Sequence, residues 1–573
     1  MSYRNFLISV TAMVLLISFS AQSQQSLRGV EEQEAAAVRK KAIALLESVA
    51  TQVDGLRSGE NRARIGSNLG ALLWTHDEKR ARIIFAAVEQ DIKAGFHDDD
   101  TDLETRNHTL LVFWHLRRVT LERIAKHDPE FALEFLRTTQ PPSHIQLPYQ
   151  LQDSEKSLEL RLASQIVAKN PGLALKLGRQ SLAKGFAPEL STSLSQMRWK
   201  DKEATLSLSE AIVSKLKSAN LAQDHGAIDI ALYIAHSFRP PEVDEQVYRE
   251  LMGLLLASAL ANGCREEDPD SAPYLCYRIG SVFSRIEAYH GPRAAPLRRW
   301  SRDEPREPVR ELPTQVRETI ENGTIDETLA LAVKYPDLQQ QLFWRAMMKA
   351  QASGDITRAR KIASEIPDEE QRRYMLAQID RDQDARSADA AKLSAIQQEL
   401  SSLPNNDERI QFLFEKAFYI GGNDRKAALG LLGQAGQLLD AAKPGQAQIE
   451  GQIVLAMMYC SLKSDRGFSV MESLIPKFNE LVAASATLDG YGHDYLRDGE
   501  WNMSGEGEVG RLLNAVAENA GFFAAQDFDR SVDLAGQMER PELRLMAKLK
   551  IAQGVLASQP NPARMFQAPA FPH

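Results

Sequence analysis

"GDITRARKIASEIPDEEQRR", Gly354 to Arg373, carries the signals of a helical hairpin in one short run. Gly-Asp ends one helix and caps the next: glycine tolerates the left-handed C-terminal position, and the carboxylate accepts the unpaired N–H groups of the following turn. Ala359 and Ala363 lie one turn apart and let a second helix come close, while Ile356 and Ile362 supply apolar side chains at helical spacing. Pro367-Asp368 stops that helix and opens another with an acid where the helix dipole favours it. Such a hairpin cannot bury its apolar face alone, so the stretch predicts copies of itself.

The copies are present. "GTIDETLALAVKYPDLQQQLFWRAM" from Gly323 matches it at a shift of 31, with Ile325, Leu331, Ala332, Pro336 and Asp337 over Ile356, Ile362, Ala363, Pro367 and Asp368. A third copy, "GNDRKAALGLLGQ" from Gly422, sets Ala427 and Leu431 over Ala359 and Ala363. A fourth, from Gln526, sets Leu534, Ala535 and Met538 over Ile362, Ala363 and Ile366. Weaker echoes begin at His127 ("HDPEFALEFLR") and Asn170 ("NPGLALKLGR").

Gly354, Asp355, Ala359 and Ala363 resemble the turn and small packing residues of tetratricopeptide-like helical repeats, across roughly 313–557 and faintly before it. The clearest period is 31, against about 34 in that family, and the family's first-helix aromatic and Leu-Gly signature is missing. The resemblance implies a solenoid of stacked hairpins that binds proteins or peptides.

The chain has 573 residues, more than one core normally serves. Net charge is −9, and the one dense basic stretch, Arg293 to Arg310, is interrupted by acids, which argues against a nucleic-acid partner. "MSYRNFLISVTAMVLLISFSAQSQQ" pairs a positive Arg4 with an apolar run from Phe6 to Phe19 and a small-residue site, Ala21-Gln22-Ser23. It reads as a signal peptide (1–23) and predicts export to a periplasmic or extracellular location. The longest later apolar run, Leu251 to Ala261, is too short to span a bilayer. Cys264 and Cys276 flank a polar turn and are either a disulfide or two free thiols; Cys460 reads as a buried helix residue.

Amphipathic helices dominate from Glu31 onward and strand-type alternation is scarce, so the expected fold is all-α, a superhelix either continuous or in two halves. The expected boundaries are an N-terminal array at 24–288, a Pro- and Arg-rich linker or strap at 289–313, repeats at 314–557 and a disordered tail at 558–573. The repeats read as open-ended.

Three stretches invite chemistry. "FHDDDTDLETRNH", Phe96 to His108, clusters Asp98, Asp99, Asp100 and Asp102 without the glycine and closing glutamate of a calcium loop, and reads as an interhelical loop. His108 and His115 are about 10 Å apart along one helix, too far to share zinc. "DGYGHDYLRDGEWNMSGEGEVG", Asp489 to Gly510, breaks the helical array with glycines and aromatics. Tyr491, His493, Tyr495 and Trp501 suit a binding platform there, with Asp498 and Glu500 as a candidate acid/base pair; the plainer alternative is an insertion that packs its aromatics on neighbouring helices.

No nucleophile elbow, phosphate loop or dinucleotide fingerprint occurs. The functional expectation is therefore an exported scaffold that binds a protein or peptide through its concave surface, with no cofactor, metal or catalytic residue. The rival is an extracytoplasmic α/α-toroid acting on polysaccharide through the 489–510 loop.

Overall fold

The computed structural model describes residues 25–97, 103–142, 145, 154–240, 242–262, 264, 274–301, 316, 319–320, 323–353, 355–366, 368–385, 390–421, 424–491, 494–503 and 508–556. The signal segment, Asp98 to Asp100, Asp102, Gly354, Pro367, His493 and the 558–573 tail lie outside them. Across the described residues the chain is all-α, apart from one two-stranded hairpin. It forms two compact units, residues 1–91 with 318–573, and residues 92–317.

The first unit opens with α1 (Gln25–Gln52), α2 (Gly59–Leu73) and α3 (Glu78–Phe96), the last passing the division after Asp91. The α1 spacing of Ala42, Leu46 and Val49 places three fully buried residues on one stripe.

The second unit runs through α4 (Leu103–Ala125), α5 (Pro129–Thr138), α6 (Ser154–Ile166), α7 (Pro171–Lys184), α8 (Glu189–Lys200), α9 (Lys202–Leu216), α10 (His225–Ser237), α11 (Glu245–Ala261), α12 (Tyr274–Gly280) and α13 (Phe283–His290). Successive helices pack on one another, α4 on α5, α6 on α7 and α8 on α9. Cys264 and Cys276 are joined by a disulfide, with their Cα atoms 5.5 Å apart.

Residues 291–300 of the expected linker form 3₁₀ turns that belong to this unit's core. Ala294, Leu297 and Trp300 are buried, and the Trp300 indole donates to the Cys264 carbonyl at 2.9 Å. Here the apolar side chains outweigh the signal of the prolines, because one residue in three turns inward. Residues 302–315 lie outside the described set.

The first unit resumes with α14 (Ile325–Lys334), α15 (Gln339–Ala352), α16 (Ile356–Ser364), α17 (Glu369–Ala385), α18 (Ala390–Ser402), α19 (Asn406–Gly421), α20 (Arg425–Asp440), α21 (Gln446–Ser461) and α22 (Arg466–Thr487). The hairpin β1 (Leu496–Arg497) and β2 (Glu500–Trp501) follows, then α23 (Glu508–Ala524), α24 (Phe528–Gly536) and α25 (Pro541–Leu556). A large core joins α1 and α2 to α18–α25, and a smaller one lies in α15–α17 around Ala346, Met347, Ala350, Ala359, Ile362, Ala363 and Ile379. Cys460 sits buried in the large core as a free thiol, its pKa pushed up to about 12 by desolvation.

The repeat frame is visible atom by atom. Asp128, Asn170, Thr324, Asp355, Asp424 and Asp527 each accept a backbone N–H of the helix they precede. Four residues after these caps stand Ala132, Ala174, Thr328, Ala359, Ala428 and Ser531, all buried. The third copy needs a correction of one residue. Asp424 is the cap, so Ala428 and Leu432, both fully buried, take the places of Ala359 and Ala363; Ala427 and Leu431 do not. The extra residue in "GGND" moved the frame.

Ala363 is fully buried among Ala346, Ala350 and Ile379. Ala363→Trp is expected to overpack that contact and lower stability by about 1–3 kcal/mol. Thermal denaturation checks this, and an unchanged midpoint would refute the frame.

The repeats are also not open-ended within this unit. The N-terminal helices α1 and α2 pack against α25, the last helix of the chain. α25 in turn approaches α23 so closely that a Cβ on Gly521 would meet the Lys550 carbonyl oxygen at 2.6 Å, which only glycine avoids.

Candidate functional site

The 489–510 segment folds as a clasp. Asp498 and Gly499 have φ of +55° and +76°, the left-handed pair that a two-residue hairpin turn requires, and Leu496 pairs with Trp501 across it. Glu500 is buried, and its carboxylate accepts from the backbone N–H of Arg57 at 2.6 Å and Ser58 at 3.1 Å, and from the Asn61 amide at 3.2 Å. It thus serves the entry of α2, where donors have no helical partner. The Asn61 amide also donates to the Trp501 carbonyl at 3.0 Å, and the Trp501 N–H donates to Glu542 at 2.6 Å. Three segments distant in sequence, 57–61, 499–502 and 540–542, are tied by these bonds.

This placement assigns most of the loop residues singled out from sequence. Trp501 is 1% exposed and stacks on Tyr495 at 5.9 Å between ring centroids, so its face is not open to a ligand. Glu500 is held by three donors and Asp498 lies exposed at the turn, so the two do not converge as an acid/base pair. Tyr491 is exposed, and His493 lies outside the described residues. The arrangement is that of the insertion packed on neighbouring helices.

Glu542 is buried at the same junction, and desolvation raises its pKa, opposed in part by the Trp501 N–H and reinforced by Glu500. A carboxyl with a raised folded pKa favours the protonated native state. Its contribution to stability is full below the ordinary value of 4.5 and is lost as pH rises through the folded pKa. Glu542→Gln keeps an acceptor for Trp501 and removes the titration. The variant is therefore expected to flatten the fall in melting temperature as pH rises from 4.5 to neutrality; a slope equal to that of the unaltered chain would refute this.

Sequence reasoning missed a cavity of about 690 Å³ in the same unit, between the C-terminal end of α1 and the helices α2 and α3. Val53, Gly66, Ile84 and Val88 give it an apolar floor, and Ile83 stands 62% exposed at its rim. Arg62 is fixed there. Its Nε donates to both oxygens of Asp91 at 3.1 and 3.3 Å, and its Nη1 donates to the carbonyls of Leu56 at 2.8 Å and Arg57 at 2.7 Å. Burial raises the Asp91 pKa against the pull of Arg62, and the nearby Asp54 raises it further. The only sequence sign was Ile83-Ile84 together, one residue more apolar than a single buried stripe needs.

Among the described residues no group of three His, Cys, Asp or Glu side chains is placed to hold a metal ion, and no helix is long and apolar enough to cross a membrane. No protein-family model matches the chain, and no curated protein matches it significantly.

Proposed function

We propose that the chain is an exported, tetratricopeptide-like scaffold that binds a protein or peptide partner through the concave surface of its stacked hairpins, without catalysis. The observation that carries this reading is the recurrence of a capped helix at Asp128, Asn170, Thr324, Asp355, Asp424 and Asp527, with a buried small residue four positions on in these six. Repetition of that kind builds an extended surface more readily than a single reactive centre. Apolar surface also concentrates on one pair of repeats, since Val333, Met348 and Tyr374 are exposed on α14, α15 and α17. The polysaccharide alternative loses support because Trp501, its main stacking ring, is buried.

The test is capture of a partner from envelope extract with the mature chain, followed by calorimetry with the purified partner. Val333→Glu and Tyr374→Glu are expected to weaken that binding about tenfold each, the effect of losing an apolar contact of 1–2 kcal/mol. A partner bound equally by both variants would remove the repeat surface from the reading. Turnover of a polysaccharide by the pure protein would overturn the reading.

A further inference from the structure

We propose that the cavity between α1, α2 and α3 binds an extended peptide segment of about five residues, basic at one end, apolar in the middle and acidic at the other. This goes beyond the scaffold reading, since the cavity lies apart from the hairpins α14–α17 on which that reading is tested.

Charge sets the two ends. Asp54 and Asp91 are near enough to influence each other, and the cation that lines the cavity beside Asp91 is Arg62. The Asp91 carboxylate and two backbone carbonyls hold that guanidinium, so it cannot swing across to Asp54. Two carboxylates against one guanidinium leave this end one negative charge in excess, carried by the exposed Asp54, where a ligand cation gains a modest, salt-dependent attraction.

At the far end the formal charges of Asp77, Glu47, Lys79 and Arg80 balance, and Lys79 is the cation left without an ion pair among the described residues. Asp77 is occupied in accepting the Arg80 N–H at 2.9 Å at the start of α3, and Arg80 pairs with Glu47 at 2.9 Å. Lys79 remains there without a partner among the described residues, exposed and lining the cavity. Lys79 and Asp91 are separated by twelve positions on α3, which is about 18 Å along the axis. An extended chain rises about 3.3 Å per residue, so about five residues bridge the two charges. Between them Ile83 is exposed beside the floor formed by Val53 and Val88, and covering it removes apolar surface from water.

The probe is the fluorescein-labelled pentapeptide Lys-Leu-Ser-Leu-Glu, titrated against the mature chain by anisotropy. Its partner probe is Glu-Leu-Ser-Leu-Glu. The first is expected to bind and the second to bind about tenfold more weakly, the size of a change from attraction to repulsion at a partly screened site. Asp54→Lys should invert that preference, and Ile83→Asp should weaken both probes; the side chains of Asp54 and Ile83 are exposed, and unchanged melting temperatures confirm that both variants fold.

Absence of binding by the lysine probe overturns the proposal, as does a preference unmoved by Asp54→Lys. Concentration-dependent dimerisation abolished by Ile83→Asp would assign the face to a second copy of the chain and overturn it too. A partner captured through α14–α17 while the pentapeptides fail would overturn this site alone and leave the scaffold reading standing.

Discussion

Trp501→Ala is expected to lower the stability of the unit formed by residues 1–91 and 318–573 by about 3–5 kcal/mol, the range for deleting a large buried ring. Trp501 is 1% exposed and stacked on Tyr495, and its backbone N–H and carbonyl bind Glu542 and Asn61. A cavity left at that point also loosens the presentation of Glu500 to the start of α2. The contrast with Trp501→Phe makes the prediction specific. The indole Nε1 is buried with no acceptor among the described residues, so losing its N–H removes an unsatisfied polar group. Phenylalanine is therefore expected to cost much less than alanine. Denaturant melts of the two variants check the order. Equal losses would mean that the ring edge and not the clasp matters, and no loss from alanine would mean that Trp501 is not packed as described.

Much of this fold is legible in the sequence because its rules are local. An Asp or Asn cap with a small residue four positions later is set within one helical turn, and Asp128, Asn170, Asp355 and Asp527 follow it, whereas Asp224 and Asp244 cap helices with Ile228 and Tyr248 at that place. The frame slipped only where an insertion shifted the cap, at Asp424. A second local rule went unread. In α17 and α19 an arginine four residues after the cap reaches back to the carbonyl before the turn, Arg372 to Ile366 at 2.9 Å and Arg409 to Leu403 at 3.1 Å. "IPDEEQR" and "LPNNDER" carry that signature, so the hairpin boundary at Leu403 was available from sequence.

The clasp divides the same way. Asp498-Gly499 between Leu496-Arg497 and Glu500-Trp501 is a hairpin signal that can be seen in sequence. What Glu500 touches cannot, because Arg57 and Ser58 lie more than four hundred residues away and no periodicity links them. Long-range closure is set by which faces remain unpaired after the hairpins form. The cavity beside α3 is hidden for the same reason, since Asp54, just after α1, and Asp91, on α3, line it from segments far apart in sequence.

A chain starting at Val53, and so lacking α1 but keeping Arg57 and Ser58, is expected to lose the cooperative unfolding transition of this unit. The end helix of an open array should be apolar on one side and polar on the other. α25 is not built that way: Leu543, Leu545, Ala547, Leu549 and Ile551 are all buried, and at steps of two residues they alternate between two opposite sides of the helix. Such a helix needs neighbours on opposite sides, and α1 is one of them, together with α2, α23 and α24. Removing α1 takes Leu46 and Val49 out of the core and uncovers the α25 side chains opposite. At about 1.5–3 kcal/mol for each large apolar side chain, the loss exceeds about 5 kcal/mol, comparable with the whole stability of an ordinary domain. Calorimetry of the truncated and untruncated chains measures it, with binding of a hydrophobic dye as the second readout. Adding the α1 peptide, Gln25–Gln52, should restore the transition and displace the dye. If the truncated chain melts as the untruncated one does, α25 has its partners without α1, and α1 contributes nothing to holding the C-terminal repeats together.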